Sequence, residues 1–169
     1  RLFVFIGRLL HMNQTIILRE FCDEDVPLFK KWLYLTHIAE WYHDPLDWID
    51  EVEKRNSDYI WLHHFIVDVD GKPIGFCQYY EYCNSGEDWH GNAQIEGTYS
   101  IDYMIGDTSY LKKGHGKAIV KQLIEMIKSY ENAKRIIVQP DPENKPSCNT
   151  LLSCGFYFDE TNGIYIMNL

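Results

Sequence analysis

The sequence lacks the features that mark small disulfide-stapled, zinc-binding or membrane-spanning proteins. Its 169 residues include only five cysteines, with no Cys-x-x-Cys pair or Cys/His cluster, so neither a disulfide framework nor a zinc site is indicated. The apolar opening stretch, residues 1–10, carries two arginines and is too short to cross a bilayer. It also lacks the small-residue cleavage site of a secretory signal. We therefore expect a cytoplasmic protein with no membrane association and no metal site.

Positive charge is also scarce, because 16 Lys and Arg residues face 25 Asp and Glu residues, giving a formal net charge of −9. Such a balance argues against binding to nucleic acid or to anionic lipid. The acidic excess suits a cationic partner, although acidity for solubility alone explains it equally well. The hydrophobic fraction of 46% is ordinary for one globular domain, and the chain is long enough to bury a core without staples.

No repeat, low-complexity run or linker divides the chain. We expect one domain over residues 13–169, with residues 1–12 either naturally upstream of it or introduced by cloning. The patterns predict the order β-α-α-β-β-β-α-β-α-β-β, which is a mixed α/β domain. Strands are predicted at residues 15–21, 61–69, 72–82, 98–106, 135–138, 156–159 and 164–169, and helices after residues 23–25 and at 45–55, 114–130 and 146–154.

The most informative segment is residues 111–117, Leu-Lys-Lys-Gly-His-Gly-Lys, between a predicted strand and the clearest predicted helix. Backbone N–H groups at a helix start, with two glycines and three lysines, form a cradle for an anion. The segment is neither a Walker A loop nor a dinucleotide-binding fingerprint, because the required spacings are missing. Taken alone, it is equally consistent with a plain helix start and a solvated basic flank.

Together with its surroundings, this segment resembles the GNAT family of N-acetyltransferases, whose pyrophosphate loop reads (Gln/Arg)-x-x-Gly-x-(Gly/Ala). Gly114 and Gly116 occupy the two small-residue positions, and Leu111 stands where the family has Gln or Arg. Asn144 followed by Gly155-Phe156 is similar to the Asn-x(10)-Gly-Phe close of the family's coenzyme-binding region. The resemblance implies an α/β fold with a mixed central sheet, flanking helices, and a fourth and fifth strand that splay apart.

Within that family the chain is most similar to aminoglycoside 6′-N-acetyltransferases, over about residues 15–169. Residues 73–80 (PIGFCQYY) resemble their Pro-Ile-Gly-Tyr-x-Gln-x-Tyr strand, and residues 85–89 (SGEDW) resemble the acidic, Trp-bearing loop after it. Residues 100–102 (SID) resemble their Gly-(Ile/Met)-Asp. The resemblance implies an enzyme that transfers an acetyl group from acetyl-CoA to a primary amine of a small cationic molecule, with the 6′-amine of an aminoglycoside as the leading acceptor.

The same resemblance implies roles for individual residues. Asp102 is the candidate base, acting directly or through a water, and the alternative is a strand acid that faces solvent or caps a loop. Coenzyme A contacts are implied for Tyr103, Met104 and Ile105 through their backbone N–H groups, and for Lys112, Lys113, Gly114, His115, Gly116, Lys117 and Asn144. Acceptor contacts are implied for Trp41, Tyr42, Tyr80, Glu87, Asp88, Gln139 and Asp141, with Glu96 a weaker candidate.

Two departures keep alternatives open. Leu151 stands where many family members place a Tyr that protonates the departing thiolate, and Leu111 removes one side chain from the pyrophosphate loop. The alternatives are an N-acetyltransferase for another amine (a polyamine, a siderophore precursor or a peptide) and a non-catalytic acyl-CoA-binding module. Both a monomer and a homodimer are compatible with the sequence. His63 and His64, consecutive on a predicted strand, face opposite sides and cannot share a metal ion.

Overall fold

The computed structural model describes residues 14–169, and the predicted upstream segment 1–12 lies outside this range. The strands are β1 (Ile16–Glu20), β2 (His63–Val69), β3 (Lys72–Glu81), β4 (Thr98–Ile105), β5 (Arg135–Val138), β6 (Tyr157–Asp159) and β7 (Ile164–Asn168). The helices are α1 (Val26–Leu33), α2 (Thr36–Ala39), α3 (Pro45–Glu53), α4 (His115–Lys128) and α5 (Lys145–Ser153). The strands form one sheet in the order β1-β2-β3-β4-β5-β7-β6.

All strand pairs are antiparallel except β4 and β5, which run parallel because α4 forms the crossover between them. The predicted order of strands and long helices is confirmed, and the strand at 135–138 matches to the residue. The short helix α2 was missed, because four residues are too few to show a helical period. The helix α4 begins one residue later and ends two residues earlier than predicted.

Helices cover both faces of the sheet and bury its central strands. On one face, Phe29 of α1 and Val52 of α3 are fully buried against the sheet. On the other, Leu123 of α4 and Leu151 of α5 are fully buried. Residues 74–80 of β3 are all buried as a result, as expected for a strand covered on both sides. Each large apolar side chain buried in this way stabilises the fold by about 1.5–3 kcal/mol.

An ion cluster of Arg19, Asp25 and Asp68, here called the edge cluster, joins the β1 edge of the sheet to the turn before α1. The guanidinium of Arg19 donates to both carboxylate oxygens of Asp25, at 2.7 Å each, and to Asp68 at 2.9 Å. The backbone N–H of Cys22 also donates to Asp25, at 2.9 Å. Burial alone would raise the pKa of Asp25, but these hydrogen bonds lower it to about 2.

The remaining observations concern the two histidines of β2, possible metal ligands, membrane-spanning helices and the cysteines. His63 is exposed and His64 is buried, which confirms that the two rings face opposite sides of β2. Among residues 14–169, no three His, Cys, Asp or Glu side chains are grouped so as to hold a metal ion. In the same range, no helix combines the length and the apolar character needed to cross a membrane. All five cysteines are free thiols.

Candidate active site

A groove opens where β4 and β5 separate. The two strands pair only at Thr98 with Arg135 and at Tyr99 with Ile136, and β4 then continues to Ile105 without a neighbour on that side. The groove has a volume of about 700 Å³ and extends from the free part of β4 to the beginning of α4. The splayed strands expected from the family resemblance are therefore present.

The register between β3 and β4 decides which backbone groups of β4 face this groove. The Gly106 N–H donates to the Ile74 carbonyl at 2.8 Å, and hydrogen-bonded pairs then recur at every second residue of an antiparallel ladder. Met104 consequently bonds to β3, whereas the N–H groups of Tyr103 and Ile105 point into the groove. The strand alternation turns the Met104 amide to the other side, so the register supports the expected coenzyme contact for Tyr103 and Ile105 and not for Met104.

Two carbonyl groups on the same free edge accept hydrogen bonds from side chains. The Tyr42 hydroxyl donates to the Tyr103 carbonyl at 2.7 Å, and His37 Nε2 donates to the Ile105 carbonyl at 2.9 Å. The Tyr42 ring also packs on Trp48, with ring centroids 4.8 Å apart. Tyr42 lines the groove as expected, but its hydroxyl supports the strand and is not free to bind an acceptor. At Tyr103 and Ile105 the free edge therefore offers only its N–H donors.

Asp102 lies on the stretch of β4 that has no β5 partner and lines the groove. Gln78 Nε2 donates to its Oδ2 at 2.9 Å, and no cationic side chain among residues 14–169 forms a salt bridge with it within 4.0 Å. Burial raises its pKa to about 6, the Gln78 hydrogen bond opposes this shift, and the Glu87 charge adds to it. A carboxyl group of this kind exchanges a proton near neutral pH, which suits a general base.

Glu87 lies on the same wall, and two aromatic side chains hold it. Trp89 Nε1 donates to its Oε2 at 2.8 Å, and the Tyr80 hydroxyl donates to the same oxygen at 3.3 Å. Gln78, Glu87 and Asp102 are here called the groove cluster. Its two carboxylates have neutral hydrogen-bond partners, so this end of the groove keeps negative charge for a cationic ligand.

Two predicted acidic contacts lie elsewhere. Asp88 is exposed and does not line the groove, because neighbouring residues in an extended loop point in different directions. Glu96 is exposed as well and forms a salt bridge of 3.0 Å with Lys134 outside the groove. Trp41, Gln139 and Asp141 do line the groove.

The opposite end of the groove is built mainly from backbone. Lys112 and Gly114 adopt left-handed conformations, with φ of 58° and 83°, and α4 begins at the next residue. Left-handed residues just before a helix start are typical of an anion-binding nest, in which successive N–H groups point to one site. Lys112 and Lys117 line the groove, but Lys113 does not and lies 6.0 Å from the ring of Tyr110. The expected coenzyme contact of Lys113 is therefore not supported.

Two further observations show that this end can hold a coenzyme. A Cβ added at Gly116 would have its closest contacts at 3.8 Å with Thr150 and 3.9 Å with Tyr103, so glycine leaves room there for a ligand. His115 is buried, lines the groove, and its Nε2 has no hydrogen-bond partner in the described part of the chain. An unpartnered buried polar atom at an anion-binding nest fits a phosphate-bearing ligand.

The α5 side of the groove is tied to β4 by side chains. The Tyr103 hydroxyl and Ser147 Oγ are 3.0 Å apart, so the Tyr103 side chain bridges the strand and the helix. The Asn144 side chain lies at the groove and caps α5 by accepting the Ser147 N–H at 3.2 Å. Leu151 is fully buried in the core, so this position of α5 supplies no proton donor to the groove.

The family follows from a comparison of the whole domain. Residues 22–162 match the family model described as "Acetyltransferase (GNAT) domain". The chain belongs to this family. It is therefore an acetyltransferase whose acetyl donor is acetyl-CoA, and the groove between β4 and β5 of this GNAT domain carries the nest, the free amides and the carboxylates described above.

Known proteins similar to this GNAT domain include aminoglycoside-modifying enzymes. The "Aminoglycoside N(6')-acetyltransferase type 1" of Klebsiella pneumoniae is 25% identical over 150 residues, covering 85% of this chain and 75% of that protein. The crystal structure of AAC(6')-Ib in complex with coenzyme A and kanamycin aligns with a TM-score of 0.77 at 23% identity, covering 91% of this chain and 95% of that one. The aminoglycoside N(6')-acetyltransferase of Legionella pneumophila aligns with a TM-score of 0.69 at 19% identity, over 95% and 94% of the two chains.

The groove of this GNAT domain brings together most of the residues expected from sequence. Its lining includes Trp41, Tyr42, Tyr80, Glu87, Asp102, Tyr103, Met104, Ile105, Lys112, Gly114, His115, Gly116, Lys117, Gln139, Asp141 and Asn144. Sequence reasoning missed His37, which carries no motif, and assigned no role to Gln78, although Gln78 stands within the motif strand. The register of Gln78 opposite Asp102 is what gives it a role.

Proposed function

We propose that this GNAT enzyme acetylates a primary amine of a polycationic small molecule, with the 6′-amine of an aminoglycoside as the leading acceptor. The observation that carries the proposal is one strand with two functions: β4 presents the Asp102 carboxylate beside the free N–H groups of Tyr103 and Ile105. A base and two amide donors within four residues of one strand supply what an acyl transfer to an amine requires.

At the coenzyme end, the nest of residues 112–116 would hold the pyrophosphate, with Lys112 and Lys117 beside it. The N–H groups of Tyr103 and Ile105 would bind the carbonyl groups of the extended pantetheine arm. The bound coenzyme supplies an activated acetyl thioester. Gly116 keeps this path open, and His115 Nε2 and the Asn144 side chain lie along it.

At the acceptor end, Asp102 would remove the proton that an ammonium group carries at neutral pH. Because the pKa of Asp102 is about 6, the carboxylate is mostly ionised at pH 7 and is still basic enough to accept that proton. Glu87, held by Trp89 and Tyr80, would attract and orient further ammonium groups. Carboxylates also stabilise the ammonium form, so a dedicated base beside them is needed.

The choice of acceptor is supported by the known relatives. The similar protein of Klebsiella pneumoniae is named as an aminoglycoside 6′-N-acetyltransferase, and similar structures contain kanamycin or ribostamycin. The net charge of −9 and the unneutralised carboxylates of the groove cluster suit the same class of ligand. Polyamines and peptide amines share this chemistry in part and form the competing acceptors.

The test is amine-dependent release of coenzyme A from acetyl-CoA, with mass spectrometry and NMR of the product. Kanamycin, which has a 6′-amine, is compared with paromomycin, which has a hydroxyl there, and with spermidine and a short basic peptide. We expect a single acetyl group on the 6′-amine of kanamycin and none on paromomycin. Turnover with spermidine or the peptide alone would show that the acceptor is not an aminoglycoside. Coenzyme binding without any turnover would favour a non-catalytic acyl-CoA-binding module.

A further inference from the structure

One buried polar atom of the groove cluster and one on a neighbouring helix have no hydrogen-bond partner within residues 14–169. Gln78 donates through Nε2 to Asp102, but its Oε1 is buried and unpaired among the described residues. Glu51, on α3, is the second case, because its Oε2 is also buried and unpaired there. The Gln78 side chain lies within interaction range of Glu51, so the two unpaired atoms belong to neighbouring side chains. Unpaired buried polar atoms are uncommon and call for an explanation.

The orientation of Gln78 follows from the chemistry of Asp102. An ionised carboxylate only accepts hydrogen bonds, so Asp102 requires the NH₂ end of the Gln78 amide. The carbonyl end, Oε1, then points away from Asp102 and needs a donor. An ionised Glu51 cannot be that donor, because it too only accepts. One proton on Glu51 pairs its carboxyl oxygen with Oε1 and satisfies both atoms at once.

The charges around Glu51 favour this proton. The ionisable groups that act on Glu51 are carboxylates from three parts of the chain: Asp102 on β4, Glu87 in the loop after β3, and Asp47 on α3 itself. Burial, followed by these three charges, raises the pKa of Glu51 to about 8, against a smaller opposing effect of the Gln78 amide. Two coupled carboxyl groups therefore separate into one that is ionised and one that is protonated at pH 7.

We propose that Glu51 is a positioning residue whose carboxyl group donates to the unpaired Gln78 Oε1 and so holds the Gln78 amide against the carboxylate of Asp102. Nothing in the sequence motifs or in the family assignment points to this residue. Its relevance to catalysis rests on the proposed role of Asp102 as the base. The arrangement keeps the base oriented without a cation, which leaves the negative charge of the groove available to the substrate.

The direct test is a carboxyl-carbon NMR titration of the free protein between pH 3 and pH 10. Asp102→Asn and Glu51→Gln identify the two signals. We expect a Glu signal with a midpoint near 8 that is absent from Glu51→Gln, and an Asp102 signal whose small second step near pH 8 disappears in the same variant. A Glu51 midpoint between pH 4 and 5, or an Asp102 titration unchanged in Glu51→Gln, would overturn the proposal.

Kinetics provide the second readout. Glu51→Leu leaves Gln78 Oε1 without a donor, and we expect kcat to fall about tenfold. The amide of Glu51→Gln can donate to the same oxygen and should restore most of that loss. Glu53→Gln is the matched control, because Glu53 is exposed on the same helix and pairs with Lys30 at 2.6 Å. Equal kcat values for the Leu variant and the wild type would exclude a positioning role.

These experiments separate this inference from the proposed function. The titration uses the protein without acceptor or coenzyme, so it can be interpreted even if no tested amine is acetylated. The acceptor comparison, in turn, can be interpreted whatever the titration of Glu51. Circular dichroism of Glu51→Leu distinguishes a lost orientation from a lost fold, and the wild-type and Gln titrations decide the proposal if the Leu variant does not fold.

Discussion

The edge cluster and the groove cluster each contain an aspartate, buried in the case of Asp25 and half-buried in the case of Asp102, and the pKa values of the two carboxyl groups are shifted in opposite directions. In the edge cluster, Arg19 donates two hydrogen bonds to Asp25 and the pKa of this carboxyl falls to about 2. In the groove cluster, Asp102 receives one hydrogen bond from a neutral amide and its pKa rises to about 6. The two residue types are identical and burial raises both pKa values, so the hydrogen-bond partner makes the difference: a guanidinium at Asp25 and a neutral amide at Asp102.

This difference separates a carboxylate with a structural partner from the one that we propose as the base. Asp25 cannot act as a base near neutral pH, because its negative charge is already compensated by Arg19. Asp102 retains both an uncompensated charge and a usable basicity, at a cost in folding free energy. An uncompensated acid in a groove is the common signature of a functional site. The following predictions test this contrast, from the largest expected effect to the smallest.

Replacing Asp102 by Asn should have the largest effect. We expect kcat to fall by about 10²–10⁴, the usual contribution of a general base. The dissociation constant of coenzyme A, measured by calorimetry, should change by less than about twofold. Because the ionised Asp102 opposes folding, the melting temperature should stay the same or rise. An Asp102→Asn enzyme with wild-type kcat would remove Asp102 as the base.

The pH dependence should follow the raised pKa of Asp102. Since a base works only when deprotonated, kcat/KM should fall about tenfold per pH unit below pH 6 and level off above it. The profile is measured with the best acceptor in buffers of constant ionic strength, and Asp102→Asn should lack the inflection. A wild-type inflection near pH 4 would show that Asp102 is not shifted in the working enzyme.

Replacing Arg19 by Met should affect stability and leave catalysis intact. Without the guanidinium, Asp25 keeps a buried negative charge that has no cationic partner. We therefore expect the free energy of unfolding to fall by about 1–3 kcal/mol at pH 7. This loss is smaller than for a fully buried pair, because Arg19 is 35% exposed. Because the pKa of Asp25 is lower in the folded protein than in the unfolded chain, where it is near 4, its ionised form stabilises the fold at pH values above 4. This stabilisation is lost as the pH falls toward 2. The difference in unfolding free energy between variant and wild type, measured by urea unfolding, should therefore be smaller at pH 3 than at pH 7.

The smallest effect is expected for Glu87→Gln. Glu87 is exposed, so its loss should raise the KM of a polycationic acceptor by about two- to fivefold while the KM of acetyl-CoA stays constant. Removal of its charge should also move the inflection of the pH profile slightly downward. Glu96→Gln, an exposed acid paired with Lys134 outside the groove, is the control. Equal effects of both substitutions would indicate general charge and not a binding contact.

Much of the fold could be predicted from local patterns. Strands rich in β-branched residues, an amphipathic helix after a glycine loop, and turn residues at 70–71 and 162–163 gave the correct element order, since these signals act over few residues. The candidate site was predicted through the motif around Asp102 and the loop at 111–117. The short helix α2 and the paired state of the Met104 amide depend on longer-range contacts, so local patterns could not reveal them.

Pairs of adjacent residues in the site show what the sequence could not predict. Lys112 lines the groove and Lys113 does not; Glu87 faces it and Asp88 does not. The sequence motifs placed each pair in the correct loop. They did not show which side chain faces the groove, because the direction of a side chain depends on the backbone dihedral angles of its own residue. Glu51 was invisible at this level, because a helical acid with charged neighbours resembles any solvated acid until α3 packs on β3.

The sequence by itself determined the class of fold and the position of the candidate anion-binding loop, because both depend on residue types at fixed spacing, and its resemblance to the GNAT family implied a candidate base. Only the tertiary structure decided that the pKa values of these two aspartates shift in opposite directions. Asp25 and Asp102 differ in the side chains that the fold brings to them from distant parts of the chain, Arg19 for one and Gln78 for the other. Electrostatic shifts of this kind depend on distances of a few ångströms and on burial, and neither is encoded in local sequence.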